Sequence, residues 1–215
     1  MSQTRGSMAL PLPKRVVRKL LRNGFFRARR VLDVGCEDGR LVRFLQAQGR
    51  DAAGIDDRPG LGPLLPDVSE AHHSSLAGGF PFAPHHFDAI LIRGSRIYSG
   101  DLTNPEASIA TANLLSSLGR RRRAIFLASD LAGEAPIEEW IAGLQAHLAP
   151  FPGTLSVSRY EDGWEKWLSV EWLIGRNRNV DLTLVTLTTE RKLVSRLEWH
   201  QIARQAVMQR MRSAA

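Results

Sequence analysis

Apolar and polar positions alternate along this chain in two periods. Val31, Leu32 and Val34 form a short apolar run interrupted by Asp33, read as a buried strand. A tight turn follows, punctuated by Gly35 and Gly39. The spacing then becomes helical: Leu41, Val42, Phe44 and Leu45 share one face of residues 40–48, and Gly49 stops the helix. Residues 51–57 read as a second strand ending in Asp56 and Asp57, and Phe87 to Ile92 as a later one. A helix opening on a Thr103/Glu106 capping box runs to Gly119 and leads into a strand over 124–128. Pro136 opens another helix, with Ile137, Ile141, Leu144 and Leu148 in register. Residues 155–160, 167–174 and 180–188 are strand-like, and 190–212 form a basic terminal helix. Strands alternating with helices predict a Rossmann-like, doubly wound α/β sheet.

The first strand–turn–helix unit is the ligand corner of such a sheet, where glycine lets the backbone approach the ligand. Charge decides which ligand. A dinucleotide fingerprint, G-x-G-x-x-G, lays a pyrophosphate on the helix N-terminus. Here the glycines are spaced G-x-x-x-G and three acids, Asp33, Glu37 and Asp38, crowd the turn. That turn repels a pyrophosphate and suits a cationic or neutral centre.

The segment Asp33-Val34-Gly35-Cys36-Glu37-Asp38-Gly39 resembles motif I of the class I S-adenosylmethionine-dependent methyltransferases, D-x-G-x-G-x-G, with Glu37 at the middle glycine. Gly54-Ile55-Asp56 resembles motif II, and Phe80 to Ile90 resembles the family pattern L-P-F-x-x-x-x-F-D-x-[IV]. The resemblance covers residues 28–130 well. It implies a mostly parallel seven-stranded sheet closed by an antiparallel C-terminal hairpin, with S-adenosylmethionine as cofactor. It also implies the site. Asp33 would reach the cofactor's ammonium, beside the loop of Gly35, Cys36, Glu37 and Gly39. Asp56 would meet the ribose hydroxyls, with Asp57 beside it among the cofactor-binding residues. His73, Ser74 or Ser75 would lie near the adenine, although no Asp stands there. Arg93, with Arg96 and Tyr98, would lie at the carboxyl end of the Phe87–Ile92 strand, where substrate arrives. The Phe87-Asp88 pair reads as structural, with Asp88 toward the helix layer. No catalytic base is identifiable, and methyl transfer from a sulfonium needs little beyond in-line alignment and a deprotonated acceptor.

Charge changes the picture at the ends. Of a net charge of +7, residues 1–32 hold nine Lys/Arg and no acid, leaving 20 basic against 22 acidic residues. Residues 1–13 read as a flexible tail and 14–215 as a single domain. Residues 14–23 read as an amphipathic helix with Val16, Val17, Leu20 and Leu21 as its apolar stripe, packing across the sheet edge or touching RNA or acidic lipid. Arg120 to Arg123 read as an exposed turn ahead of a strand, with a binding patch as the second reading. Trp164, Trp167 and Trp172 read as packing, with stacking on a base or sugar as the second reading. Two apolar faces on 190–212, Leu193, Leu197 and Met211 against Trp199, Ile202 and Ala206, suggest a homodimer contact. His72-His73 and His85-His86 lack metal-ligand spacing. A single cysteine, Cys36, and no span-length apolar run suit a cytoplasmic protein.

The expected function is methyl transfer to an unidentified small-molecule or macromolecular acceptor. The alternative is a non-catalytic relative that keeps the fold and docks on RNA or a protein assembly through its basic termini.

Overall fold

Inward-facing residues of the central strands divide between two cores. Leu32, Val34, Ile90, Ile92, Ala124, Phe126, Val185 and Leu187 pack on one face of the sheet. Val31, Ala52, Ala89, Leu91, Ile125, Leu127 and Leu184 pack on the other. Strands buried on both faces read as near-continuous apolar runs, as parallel sheets require. The structure is a computed structural model that describes residues 12, 16–17, 20–21, 24–57, 71–73, 76–133, 135–160, 182–190 and 194–214.

In chain order the elements are β1 (Arg30–Val34), α1 (Arg40–Ala47), β2 (Asp51–Asp56), β3 (Ala71–His73), β4 (Phe87–Ile92) and α2 (Arg96–Ser99). There follow α3 (Pro105–Ser117), β5 (Leu118–Leu127), α4 (Ala128–Leu131), α5 (Ile137–Leu148), β6 (Thr154–Tyr160), β7 (Leu182–Thr188) and α6 (Arg196–Ala214). One seven-stranded sheet has the order β3-β2-β1-β4-β5-β7-β6. The first five are mutually parallel, and β7 runs antiparallel between β5 and β6. The strand order reverses between β1 and β4, which puts a crevice beyond their carboxyl ends. The doubly wound, mostly parallel architecture is therefore present, including its antiparallel C-terminal pair. The predicted strand over 167–174 and the three tryptophans Trp164, Trp167 and Trp172 lie outside the described residues.

Several boundaries differ from expectation, each for a local reason. Asn104, not Thr103, caps α3: its Oδ1 accepts the Glu106 N–H at 2.9 Å, while Thr103 is held by Asp101 Oδ1. The capping box is displaced because the Asp101 side chain takes both the N–H and the hydroxyl of Thr103. Helix α3 ends at Ser117, and β5 begins at once with Leu118. Phe87 pairs with Leu118 but Ala89 with Arg123, so residues 119–122 bulge out of the ladder. Ala128, expected in that strand, already belongs to α4.

At the N-terminus, Leu12, Val16 and Leu20 are buried with Phe25, Leu41 and Leu45 against the sheet. This is the packing reading of the amphipathic segment, and it anchors Leu12, which was expected in the loose tail. Leu21 departs from the predicted stripe and is exposed. Helix α6 begins at Arg196, later than expected, and lays Trp199, Ala203 and Ala206 into the core while Leu197, Met208 and Met211 face out. Among the described residues no helix is long and apolar enough to cross a membrane.

Candidate functional site

The corner beyond β1 is built by hydrogen bonds that extend the sheet one step past its strands. Gly35 N–H donates to Ile55 O at 2.8 Å, and Arg93 N–H donates to Val34 O at 2.9 Å. The Arg93–Gly94 backbone thus lies directly on Gly35. A Cβ built there would sit 1.6 Å from Arg93 O, and Gly35 has φ +78°. Glycine is required at this position on both counts. The loop then turns through two more left-handed residues, Glu37 at φ 50° and Gly39 at φ 71°. Glu37 stands where the family pattern has glycine, and its backbone adopts the conformation that glycine would supply.

Cys36 turns inward. Its Sγ would be 2.8 Å from a Cβ on Gly54, which explains the glycine of Gly54-Ile55-Asp56. Burial, followed by the charges of Asp33 and Asp56, pushes its thiol up to about 12. Cys36 therefore contributes backbone to the loop and a packed, protonated side chain to the core.

Asp33 is fully buried. Its Oδ1 accepts from Arg93 Nε and its Oδ2 from Arg93 Nη2, both at 3.0 Å. Burial raises the Asp33 carboxyl above its ordinary range, and Arg93 pulls against that. Burial likewise opposes the guanidinium charge. The attraction of Asp33, and then of Glu37 and Asp130, outweighs it and holds Arg93 above its usual value. The remaining amino group of Arg93, Nη1, is 3.9 Å from Glu37 Oε2, beyond hydrogen-bond length, on a side chain only 10% exposed. It makes no hydrogen bond within the described residues.

The two acids after β2 have separate tasks. Asp56 is buried and its Oδ2 accepts the Glu37 N–H at 2.9 Å, which clamps the loop to β2. Asp57 reaches across to the segment after β4. It accepts from Ser95 Oγ at 2.8 Å, Arg96 N–H at 2.9 Å and Ile97 N–H at 3.0 Å, so it caps α2. Ser95 escaped the sequence reading, since nothing local marks a serine that meets an acid 38 residues away.

The structure therefore brings Asp33, Gly35, Glu37, Gly39, Asp56, Asp57 and Arg93 together at one end of the sheet. Ser74 and Ser75 lie outside the described residues. Arg96 is on α2, exposed, within 3.8 Å of Glu106. Tyr98 is buried away from the corner, its hydroxyl 2.9 Å from Thr111 Oγ1. Asp88 is at the opposite end of β4, accepting from the Arg29 and Arg30 N–H groups rather than facing a helix. Behind α2, a cavity of about 470 Å³ is lined by Leu102, Ala132, Trp140, Gly143, His147 and Arg210 among others.

No protein-family model and no curated protein sequence matches the chain. Solved structures do match. A SAM-dependent methyltransferase from Archaeoglobus fulgidus shares 14% identity over 86% of this chain and 96% of its own, with a TM-score of 0.54. The N-methyltransferase NodS from Bradyrhizobium japonicum WM9, in complex with S-adenosyl-L-homocysteine, shares 16% identity over 84% of this chain and 89% of its own, at TM-score 0.54. The 1,6-didemethyltoxoflavin-N1-methyltransferase from Burkholderia thailandensis shares 17% identity over 82% and 77%, at TM-score 0.53. Taken with the strand order and the glycine loop, these likenesses establish that the chain has the class I S-adenosylmethionine-dependent methyltransferase fold.

Proposed function

We propose that the protein binds S-adenosylmethionine at the corner formed by Asp33, Gly35–Gly39, Asp56 and Arg93, and transfers its methyl group to an acceptor. The observation that carries this is the buried Arg93 Nη1, a charged donor without a hydrogen bond in the described residues, beside a glycine-bearing loop at the switch point of the sheet. The residues suit both ends of that cofactor. Its amino-acid end is a zwitterion, and the Asp33–Arg93 pair offers both signs of charge, with Nη1 the donor for a carboxylate. At the adenosine end, Asp56 supplies a carboxylate pinned by the Glu37 N–H, the group a ribose diol needs.

When bound, the cofactor supplies an electrophilic methyl on a sulfonium. The chain's own contribution is orientation. Asp57 fixes α2 over the corner, and Asp56 fixes the loop. Asp130 on α4 adds a third negative charge near Arg93 at the exposed side. This acidic rim favours a cationic centre over a pyrophosphate.

Calorimetric titration of S-adenosylmethionine and S-adenosylhomocysteine tests the proposal, with Asp56→Ala and Arg93→Lys alongside the native chain. Micromolar binding weakened by both substitutions is the expected result. A folded native chain that binds neither compound removes the cofactor and leaves a non-catalytic use of the fold.

A further inference from the structure

The opposite end of the sheet carries a second, differently charged feature. The bulge in β5 throws Arg120, Arg121 and Arg122 outward and the ladder resumes at Arg123, and all four are exposed. The chain entering β1 brings Arg27, Arg29 and Arg30 to the same end. The two segments are about 90 residues apart in sequence, yet Arg27, Arg121, Arg122 and Arg123 line one hollow of about 290 Å³, with Asp88 as its acid. Asp88 is already saturated. It accepts the Arg29 and Arg30 N–H groups, and its Oδ1 lies 3.5 Å from Arg30 Nη2 and 3.2 Å from Arg122 Nη2. Burial resists the Asp88 charge, but these backbone and arginine partners prevail and hold its carboxyl below the usual range. Among the described residues, Asp51 and Glu190 are the other acids nearby, which leaves seven arginines against three acids. Arg27 and Arg121 have no ion pair with any described residue.

We propose that this amino-edge hollow is a docking surface for the sugar–phosphate backbone of an RNA strand. Arg27 ahead of β1 and Arg123 on β5 line the hollow from the two sides of β4, and the strands that carry these two rows are about 10 Å apart. That spacing admits one backbone contacted from both sides, and guanidinium forks match phosphate oxygens two at a time. A membrane surface would ask for exposed large apolar side chains beside the cations, and none lines the hollow among the described residues. The surface lies at the far end of the strands from the Asp33–Arg93 corner. It anchors the protein on RNA without presenting a base to that corner, and it is independent of the cofactor assignment.

The test is fluorescence anisotropy of a labelled, unstructured 20-nucleotide RNA with the full chain across a salt series, repeated with vesicles of anionic phospholipid. The native chain is compared with the double variant Arg27→Ala/Arg121→Gly, in which glycine suits φ 52° at position 121. Arg204→Ala, on the exposed face of α6, is the control. If two phosphate contacts are lost, the salt slope falls by about 1.4 and the affinity at low salt by about tenfold. The melting temperature and the Arg204→Ala slope stay unchanged. An unaltered slope in the double variant overturns the assignment, as does vesicle binding without RNA binding or no RNA binding by the native chain.

Discussion

Asp33 and Arg93, 60 residues apart, form a two-bond ion pair in which each carboxylate oxygen accepts one guanidinium N–H at 3.0 Å. The pair closes the gap between β1 and β4 at the point where ligand binding is expected. Breaking it from the Arg93 side strands a buried carboxylate. Arg93→Met is expected to lower the unfolding free energy by about 3–5 kcal/mol. The double variant Asp33→Asn/Arg93→Met, which removes both charges, recovers most of that loss. Urea denaturation of the four proteins in the cycle checks this, and additive single effects would contradict it.

Glu37 at φ 50° tests the loop in the other direction. A non-glycine residue in the left-handed region is strained by about 1–2 kcal/mol, against an entropic cost of about 0.5–1 kcal/mol for glycine. The Glu37 side chain is half exposed and its contact with Arg93 is long, so that ion pair adds little. Glu37→Gly is expected to raise the melting temperature by about 2 °C. Differential scanning calorimetry decides it, and a lower melting temperature would mean that the Glu37 carboxylate matters more than its backbone strain.

Much of this corner was legible in the sequence, and the rest was not, for identifiable reasons. Strand β4 is at Phe87–Ile92 as expected, and β1 and β2 differ from the reading by one residue each. Their apolar runs are bounded by turn residues, and both faces are covered. The left-handed backbone at position 37 follows from aligning Glu37 with a motif glycine. The partner of Asp33 did not follow, because a charge pair between β1 and the end of β4 depends on strand order, and no local pattern encodes it. The same holds for Asp57. Its position after Asp56 places it among the expected cofactor-binding residues, and its three observed bonds cap α2.

Asp57→Ala therefore acts on α2. Loss of the cap is expected to cost about 1–2 kcal/mol. The distinguishing readout is local. The amides of Arg96 and Ile97, which donate to Asp57, should lose hydrogen-exchange protection while those of β1 and β2 keep theirs. Uniform loss across the sheet would show that Asp57 supports the whole domain instead.

His147 gives the pH dependence. Its Nδ1 is 2.9 Å from Leu102 O, which can only accept, so Nδ1 carries the proton. Nε2 lies 2.9 Å from Thr111 Oγ1, which also donates to Ala107 O and lies 2.9 Å from the Tyr98 hydroxyl. Burial, and then the nearby Arg210 charge, push His147 down to about 4, against an opposing effect of the Leu102 bond. The folded pKa lies below the unfolded value of about 6.5, so the unfolded chain binds more protons between them. Stability is whole above pH 6.5 and is lost as the pH falls toward 4. About 2 kcal/mol should go between pH 7.5 and pH 5. His147→Gln, which cannot protonate, is expected to start less stable at pH 7.5 and to lose about 2 kcal/mol less than the native chain over the same interval. Denaturant titrations of both proteins at the two pH values give the comparison, and parallel losses would assign the acid sensitivity to other groups.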